Sequence, residues 1–191
     1  MFSFREVEIS DAKMILDWRT SDRVTKYMVT DVADDVNAQE RWIRSSYLNP
    51  AYYHWIIRYN EQDIGLIQFM RYDQCQKSAS WGFYVGEEPV LKQSGLIPAY
   101  FYNFAFNFLG VEKIKTETFY DNTSVLKLHL LYGYDFSLAD SEVIEKNGKK
   151  VLLVCMNLSK ESFYSSKFNR FKAEFPIAKW KGLKIKDCLR F

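Results

Sequence analysis

The sequence predicts an α/β (α+β) fold, a single domain in which strands and helices interleave. Three observations carry this. Short runs such as "KIKTETFY" alternate with period two, the strand signal. Between them lie amphipathic stretches such as "NAQERWIRSSYL", with apolar residues at helical spacing. Turn residues separate one from the next, at Asn49-Pro50, Gly110, Gly133 and Asn147-Gly148.

Taken in order, "FSFREVEIS" alternates and reads as the first strand. Ser10 and Asp11 start a helix in which Met14, Ile15 and Trp18 share one face. A short helical piece surrounds "DRVTKYM", and "NAQERWIRSSYL" follows as an amphipathic helix. "YYHWIIRY" and "DIGLIQFMRY" form a hairpin around "NEQD", and "SASWGFYVG" is the next strand. A helix from about Pro98 to Leu109 stops at Gly110. The strand "KIKTETFY" leads into the helix "DNTSVLKLHLLYG", entered at Asp121 to Thr123 and left at Gly133. "YDFSLADSEVIEK" and "KKVLLVCMNL" close the pattern as a hairpin through Asn147-Gly148. The order is β-α-α-ββ-β-α-β-α-ββ over residues 1–158, with a basic, aromatic extension over 159–191.

Composition excludes several classes. The 191 residues are 48% hydrophobic and 17% aromatic, enough for a sizeable core and against disorder. A net charge of +2, from 26 basic and 24 acidic residues, does not argue for nucleic acid or a membrane surface as partner. Cys75, Cys155 and Cys188 are odd in number with no CxxC, which points to a reducing, cytoplasmic compartment. Cys155, inside "VLLVCMNL", reads as a core residue. "MFSFREVEIS" lacks the apolar core of a signal peptide. Two histidines and no paired cysteines disfavour a metal site.

The stretch "LKQSGLIPAY" lies between a strand and a helix and holds one glycine. It reads either as a plain βα connection or as a phosphate loop. With "WGFYV" before it and "FYDNTSVLKLHLLYGY" downstream, the chain resembles the GNAT superfamily of acyl-CoA N-acyltransferases over roughly residues 4–157. The opening "ILDWRTSDRVTKYM" is similar to that of the enzymes that acetylate amino groups on nucleotide-linked sugars in pseudaminic acid biosynthesis. Acetyltransferases acting on ribosomal-protein N-termini share this kind of opening.

The resemblance implies a mixed, mostly antiparallel central sheet flanked by helices, with two central strands splayed apart. It implies acetyl-CoA as donor, held by the backbone of Phe83, Tyr84 and Val85. It implies a pyrophosphate loop over Lys92, Gln93, Ser94, Gly95, Leu96 and Ile97, with Asn122, Ser124 and Lys127 as further contacts. The family loop usually runs Gln or Arg, two residues, Gly, one residue, then Gly or Ala. With Gly95 as its first glycine, Lys92 takes the Gln/Arg place and Ile97 replaces the second glycine. Asn122 also suits a helix cap, and exposure alone accounts for Lys127 equally well.

Where the family commonly has a tyrosine proton donor, seven residues after the Asn, this chain has His129. An imidazolium can protonate a departing thiolate; a histidine that only packs is the other reading. Ser80-Trp81 stands where many members carry a glutamate base. For the acceptor, the candidates are Trp18, Arg19, Tyr27, Met28, Trp42, His54, Trp55 and Trp81, through ring stacking and pairing of Arg with diphosphate. Core packing explains at least half of them. The resulting expectation is a cytoplasmic N-acetyltransferase, alone or as a homodimer, whose acceptor is a small-molecule amino sugar. The alternatives are a protein N-terminal or ribosomal-protein acetyltransferase, and a non-catalytic domain of the same fold.

Overall fold

The computed structural model describes residues 1–88 and 93–179. Strand β1 (Phe2–Glu6) is followed by helices α1 (Ala12–Thr20), α2 (Asp22–Thr25) and α3 (Val36–Ser46). Strands β2 (Tyr53–Tyr59), β3 (Gln62–Asp73) and β4 (Ser78–Val85) come next. Helix α4 (Ile97–Asn107), β5 (Lys113–Phe119) and α5 (Thr123–Tyr132) lead to β6 (Asp135–Phe136), β7 (Glu142–Lys146), β8 (Lys149–Ser159) and α6 (Lys160–Tyr164). The sheet runs β1-β2-β3-β4-β5-β8-β6, with β7 also on β8. Every pairing is antiparallel except β4 with β5.

Period two divides the apolar residues between the two faces of the sheet. One face holds Trp55, Ile67, Phe69 and Trp81 and packs on Phe101 and Phe104 of α4 and on Tyr132 of α5. The other face holds Ile56, Leu66 and Tyr84 and packs on Ile15 and Trp18 of α1, Val24 of α2 and Ile43 of α3. Burial against the sheet holds the single turn of α2, since so short a helix has little stability alone. At Gly65 the strands approach so closely that a Cβ would lie 2.1 Å from the Tyr84 carbonyl oxygen. Only glycine fits there.

Three sequence expectations change. "YDFSLADSEVIEK" is not one strand, because a 3-10 turn at Leu138–Asp140 splits it into β6 and β7. The Ser141 hydroxyl donates to the Ser137 carbonyl and holds that turn closed. Cys155 is half-buried rather than core, with its thiol on the Asp140 carbonyl. The "DRVTKYM" helix is reduced to α2. The Asn147-Gly148 turn has positive φ at both residues, 52° and 72°, the pairing that a two-residue hairpin turn favours.

The start of the extension packs onto the first face. Phe163 is fully buried, and Phe175 stacks on Phe4 with centroids 4.0 Å apart. The Trp55 indole N–H donates to the Pro176 carbonyl at 2.7 Å, and the Lys179 amide donates to the Glu6 carboxylate at 2.7 Å.

Candidate active site

β4 and β5 pair only through Ser78–Lys113, Ala79–Ile114 and Ser80–Lys115. Beyond Ser80 they part, β4 staying with β3 and β5 with β8. From Trp81 to Val85 the β5-facing edge of β4 therefore has no strand partner among the described residues. Alternate residues of such an edge offer backbone N–H and C=O groups. An extended ligand built of amide units can bond this edge as a missing strand would. This is the splay that the resemblance implied, with Phe83, Tyr84 and Val85 on it.

The loop after β4 is anchored at both ends. At its start, the Gly86 and Glu87 amides donate to the Ile64 carbonyl at 2.7 and 3.2 Å. Arg23 donates from Nη1 to the Val85 carbonyl at 2.7 Å and from Nη2 to the Gly86 carbonyl at 2.5 Å. The Trp18 indole lies over Gly86 and donates to the Glu87 carboxylate at 2.9 Å. At its end, a 3-10 turn over Ser94–Leu96 runs directly into α4. The Tyr132 hydroxyl donates to the Gly95 carbonyl at 2.6 Å.

That turn engages two of the loop's amides. The Leu96 amide donates to the Gln93 carbonyl at 3.1 Å and the Ile97 amide to the Ser94 carbonyl. Both are engaged inside the turn. Gln93 is exposed, Ser94 and Gly95 are half-buried, and Ile97 is fully buried. Lys92 lies outside the described residues. The site still suits an anion, because the first turn of α4 carries no acidic side chain and the helix presents its positive end. Pro98 occupies the first turn, where its missing N–H removes no helix bond.

At the entry to α5, Asn122 makes no side-chain cap bond, contrary to its sequence reading. Ser124 and Lys127 are exposed on the same helix. His129 is buried, its ring edge-on to Trp81 at 6.3 Å and 4.8 Å from the Tyr134 ring. Its Nδ1 has no hydrogen-bond partner among the described residues, and burial pushes its pKa down to about 4. At neutral pH it rests as neutral imidazole, not as the imidazolium that the sequence reading supposed.

The acceptor candidates separate. Trp55 is fully buried with its N–H on Pro176, and Trp81 is buried between Phe83 and Phe101 with its N–H on the Tyr134 hydroxyl at 2.8 Å. His54 is buried against Trp42, and desolvation pushes its pKa down to about 3. These three belong to the core, because their polar atoms or ring faces are already occupied inside it. Trp42 and Met28 pack half-buried on the second cluster, and Tyr27 is exposed beneath Lys26. Trp18 is buried, lining an open cleft of about 480 Å³ with Ser10, Lys13, Asp17 and Glu87.

Arg19 differs from all of these. It is half-buried at the end of α1, where Nη2 donates to the Thr30 carbonyl. Its Nη1 is buried with no partner among the described residues, and burial lowers its pKa. The Tyr84 phenol is close enough to act on its charge. Sequence reasoning did not find Arg23, Tyr84 as a side chain, or the tie from Tyr132 to Gly95. Each depends on chain segments that only the fold brings together.

The described residues hold no group of three or more His, Cys, Asp or Glu placed to bind a metal ion. None of their helices is long and apolar enough to cross a membrane.

Comparison with known proteins agrees with this geometry. Residues 2–135 match the model of the Acetyltransferase (GNAT) domain. Acetyltransferase PseH from Campylobacter jejuni subsp. jejuni serotype O:2 is 29% identical over 128 residues, 66% of this chain and 78% of that protein. PseH from serotype O:23/36 is 27% identical over the same share. Among solved structures, spermidine N-acetyltransferase from Vibrio cholerae in complex with CoA and spermine superposes with a TM-score of 0.78 at 16% identity. That likeness covers 85% of this chain and 98% of the other. The splayed strands, the anchored loop and the matched domain lead to one conclusion: the chain belongs to the GNAT acetyltransferase family.

Proposed function

We propose that this acetyltransferase acylates the amino group of a nucleotide-linked sugar. Its acetyl donor is acetyl-CoA, as in the family. The observation that supports this acceptor is Arg19. A buried guanidinium nitrogen without a partner is costly to leave so. Asp31 acts on its charge but is itself paired with Lys146 at 2.8 Å. With Nη2 held by Thr30, Nη1 is left to donate, and a diphosphate oxygen takes a charge-assisted bond from a guanidinium. The same positive charge repels a polyamine. The PseH relatives support the same reading.

The transfer is a direct one. The amine nitrogen bonds the acetyl carbon, the carbon–sulfur bond breaks, and the sulfur gains the proton that the amine sheds. We assign the carriage of that proton to His129, whose ring lies 6.3 Å from that of Trp81 on the splayed part of β4; neutral at rest, the imidazole takes the proton from the amine and gives it to the sulfur. A thiolate forming next to the ring favours the imidazolium that burial alone suppresses.

A thiol-release assay tests the acceptor, with a UDP-linked amino sugar set against spermidine and a peptide with a free N-terminus. The amino-sugar nucleotide is expected to turn over fastest. Arg19→Met is expected to raise its KM by roughly tenfold or more while leaving the KM for acetyl-CoA unchanged. Preferred turnover of spermidine or the peptide would overturn the reading.

A further inference from the structure

We infer that Arg23 and Trp18 are positioning residues of the acetyl-CoA site, gripping the exit of β4 from outside the sheet. The inference rests on the assignment of the loop after β4 to the donor.

Two peptide units leave β4 at Val85–Gly86 and Gly86–Glu87. Both of their N–H groups go to the Ile64 carbonyl. Both of their carbonyls go to the single guanidinium of Arg23. Each plane is thus fixed from its two sides, and neither can rotate without breaking two bonds. The guanidinium fork suits this task, since two nitrogens at fixed separation meet two successive carbonyls. It also offsets the negative ends of two carbonyl dipoles, at the point where the chain turns toward an anionic ligand.

Trp18 closes the other side. A Cβ at Gly86 would lie 2.1 Å from the indole Cδ1, so the ring sits flush on bare backbone. Its N–H holds the Glu87 carboxylate at 2.9 Å. The Arg23 Nε, 3.8 Å from the Glu88 carboxylate, adds a weak second tether. Two acidic side chains at the head of the loop are thereby drawn toward α1 and α2, away from where phosphate would repel them. The α1–α2 segment, which the sequence suggested for the acceptor, thus divides. Arg19 remains on the acceptor side, and Trp18 and Arg23 serve the donor.

The experiment is calorimetric titration of the full chain with CoA, alongside the melting temperature of the unliganded protein. Arg23→Met is expected to weaken CoA by roughly tenfold and, because both carbonyl bonds exist without ligand, to lower the melting temperature as well; titration well below that temperature keeps the affinity readable. Arg23→Lys should recover only part of this, because one ammonium cannot hold both carbonyls in fork geometry. Gly86→Ala should weaken CoA as well, and Trp18→Leu in the Gly86→Ala background should restore part of it by making room. Unchanged CoA affinity in Arg23→Met would overturn the inference, as would a full recovery by lysine. Gly95→Asp separates this from failure of the loop assignment. A side chain fits there, since its Cβ would meet only Leu128 at 3.7 Å. A carboxylate beside bound phosphate should weaken CoA. If Gly95→Asp binds CoA normally, the loop does not hold the donor and the premise falls instead.

Discussion

The Tyr132 hydroxyl donates to the Gly95 carbonyl at 2.6 Å, tying the last turn of α5 to the turn that opens α4. The Tyr132 ring is fully buried, while the Gly95 it reaches is half-buried. Tyr132→Phe leaves the carbonyl unpaired and frees the turn to move. The expected outcome is a loss of about 1 kcal/mol in stability, with CoA affinity falling roughly fivefold. Denaturant unfolding and CoA titration on the same variant read the two effects.

His129 carries the chemical prediction. His129→Phe keeps a flat ring against Trp81 and Tyr134 but removes the proton site. At saturating acetyl-CoA, kcat should fall by about 10²-fold, with the KM for acetyl-CoA little changed. An unchanged kcat would remove His129 from the reaction.

Acid should unfold this protein early. Burial pushes His54 down to about 3 and His129 down to about 4, against an ordinary value of 6.5. Below pH 6.5 the unfolded chain takes up protons that the folded chain refuses. Stability is therefore full above about pH 6.5 and falls as pH drops toward 4 and then 3. Each histidine contributes a slope of up to about 1.4 kcal/mol per pH unit in its window. Melting curves between pH 7.5 and pH 4.5 measure this, and His54→Phe should flatten the slope.

The extension is part of the core, and its removal should show as stability. Phe175 is buried among Phe4, Phe101, Phe104 and Trp55. Phe175→Ala should cost about 3–5 kcal/mol. Urea titration gives the value, and a loss under 1 kcal/mol would mean that the extension is dispensable to the fold.

Much of the fold was legible because its signals are local. The Asn147-Gly148 turn needs only two residues willing to take positive φ. Gly133, at φ 92°, ends α5 for the same reason. The unit of strand, short loop and helix around Gly95 was visible from periodicity and one glycine. The break between β6 and β7 was not, since it rests on serine hydroxyls that fold back on neighbouring carbonyls. Nor was the difference between Arg19 and Arg23, two arginines four residues apart.

By itself, the sequence determined most of the order of elements, the two hairpins and a one-glycine loop between a strand and a helix, because backbone dihedral preference and side-chain period act within a few residues. Only the tertiary structure decided which aromatics are core and which rings and cations face the site. Trp18 meets Glu87 across 69 positions, and Trp55 meets Pro176 across 121. No local preference encodes such meetings. Burial then keeps His54 and His129 neutral and lowers the pKa of Arg19, because desolvation depends on what the whole fold places around a side chain.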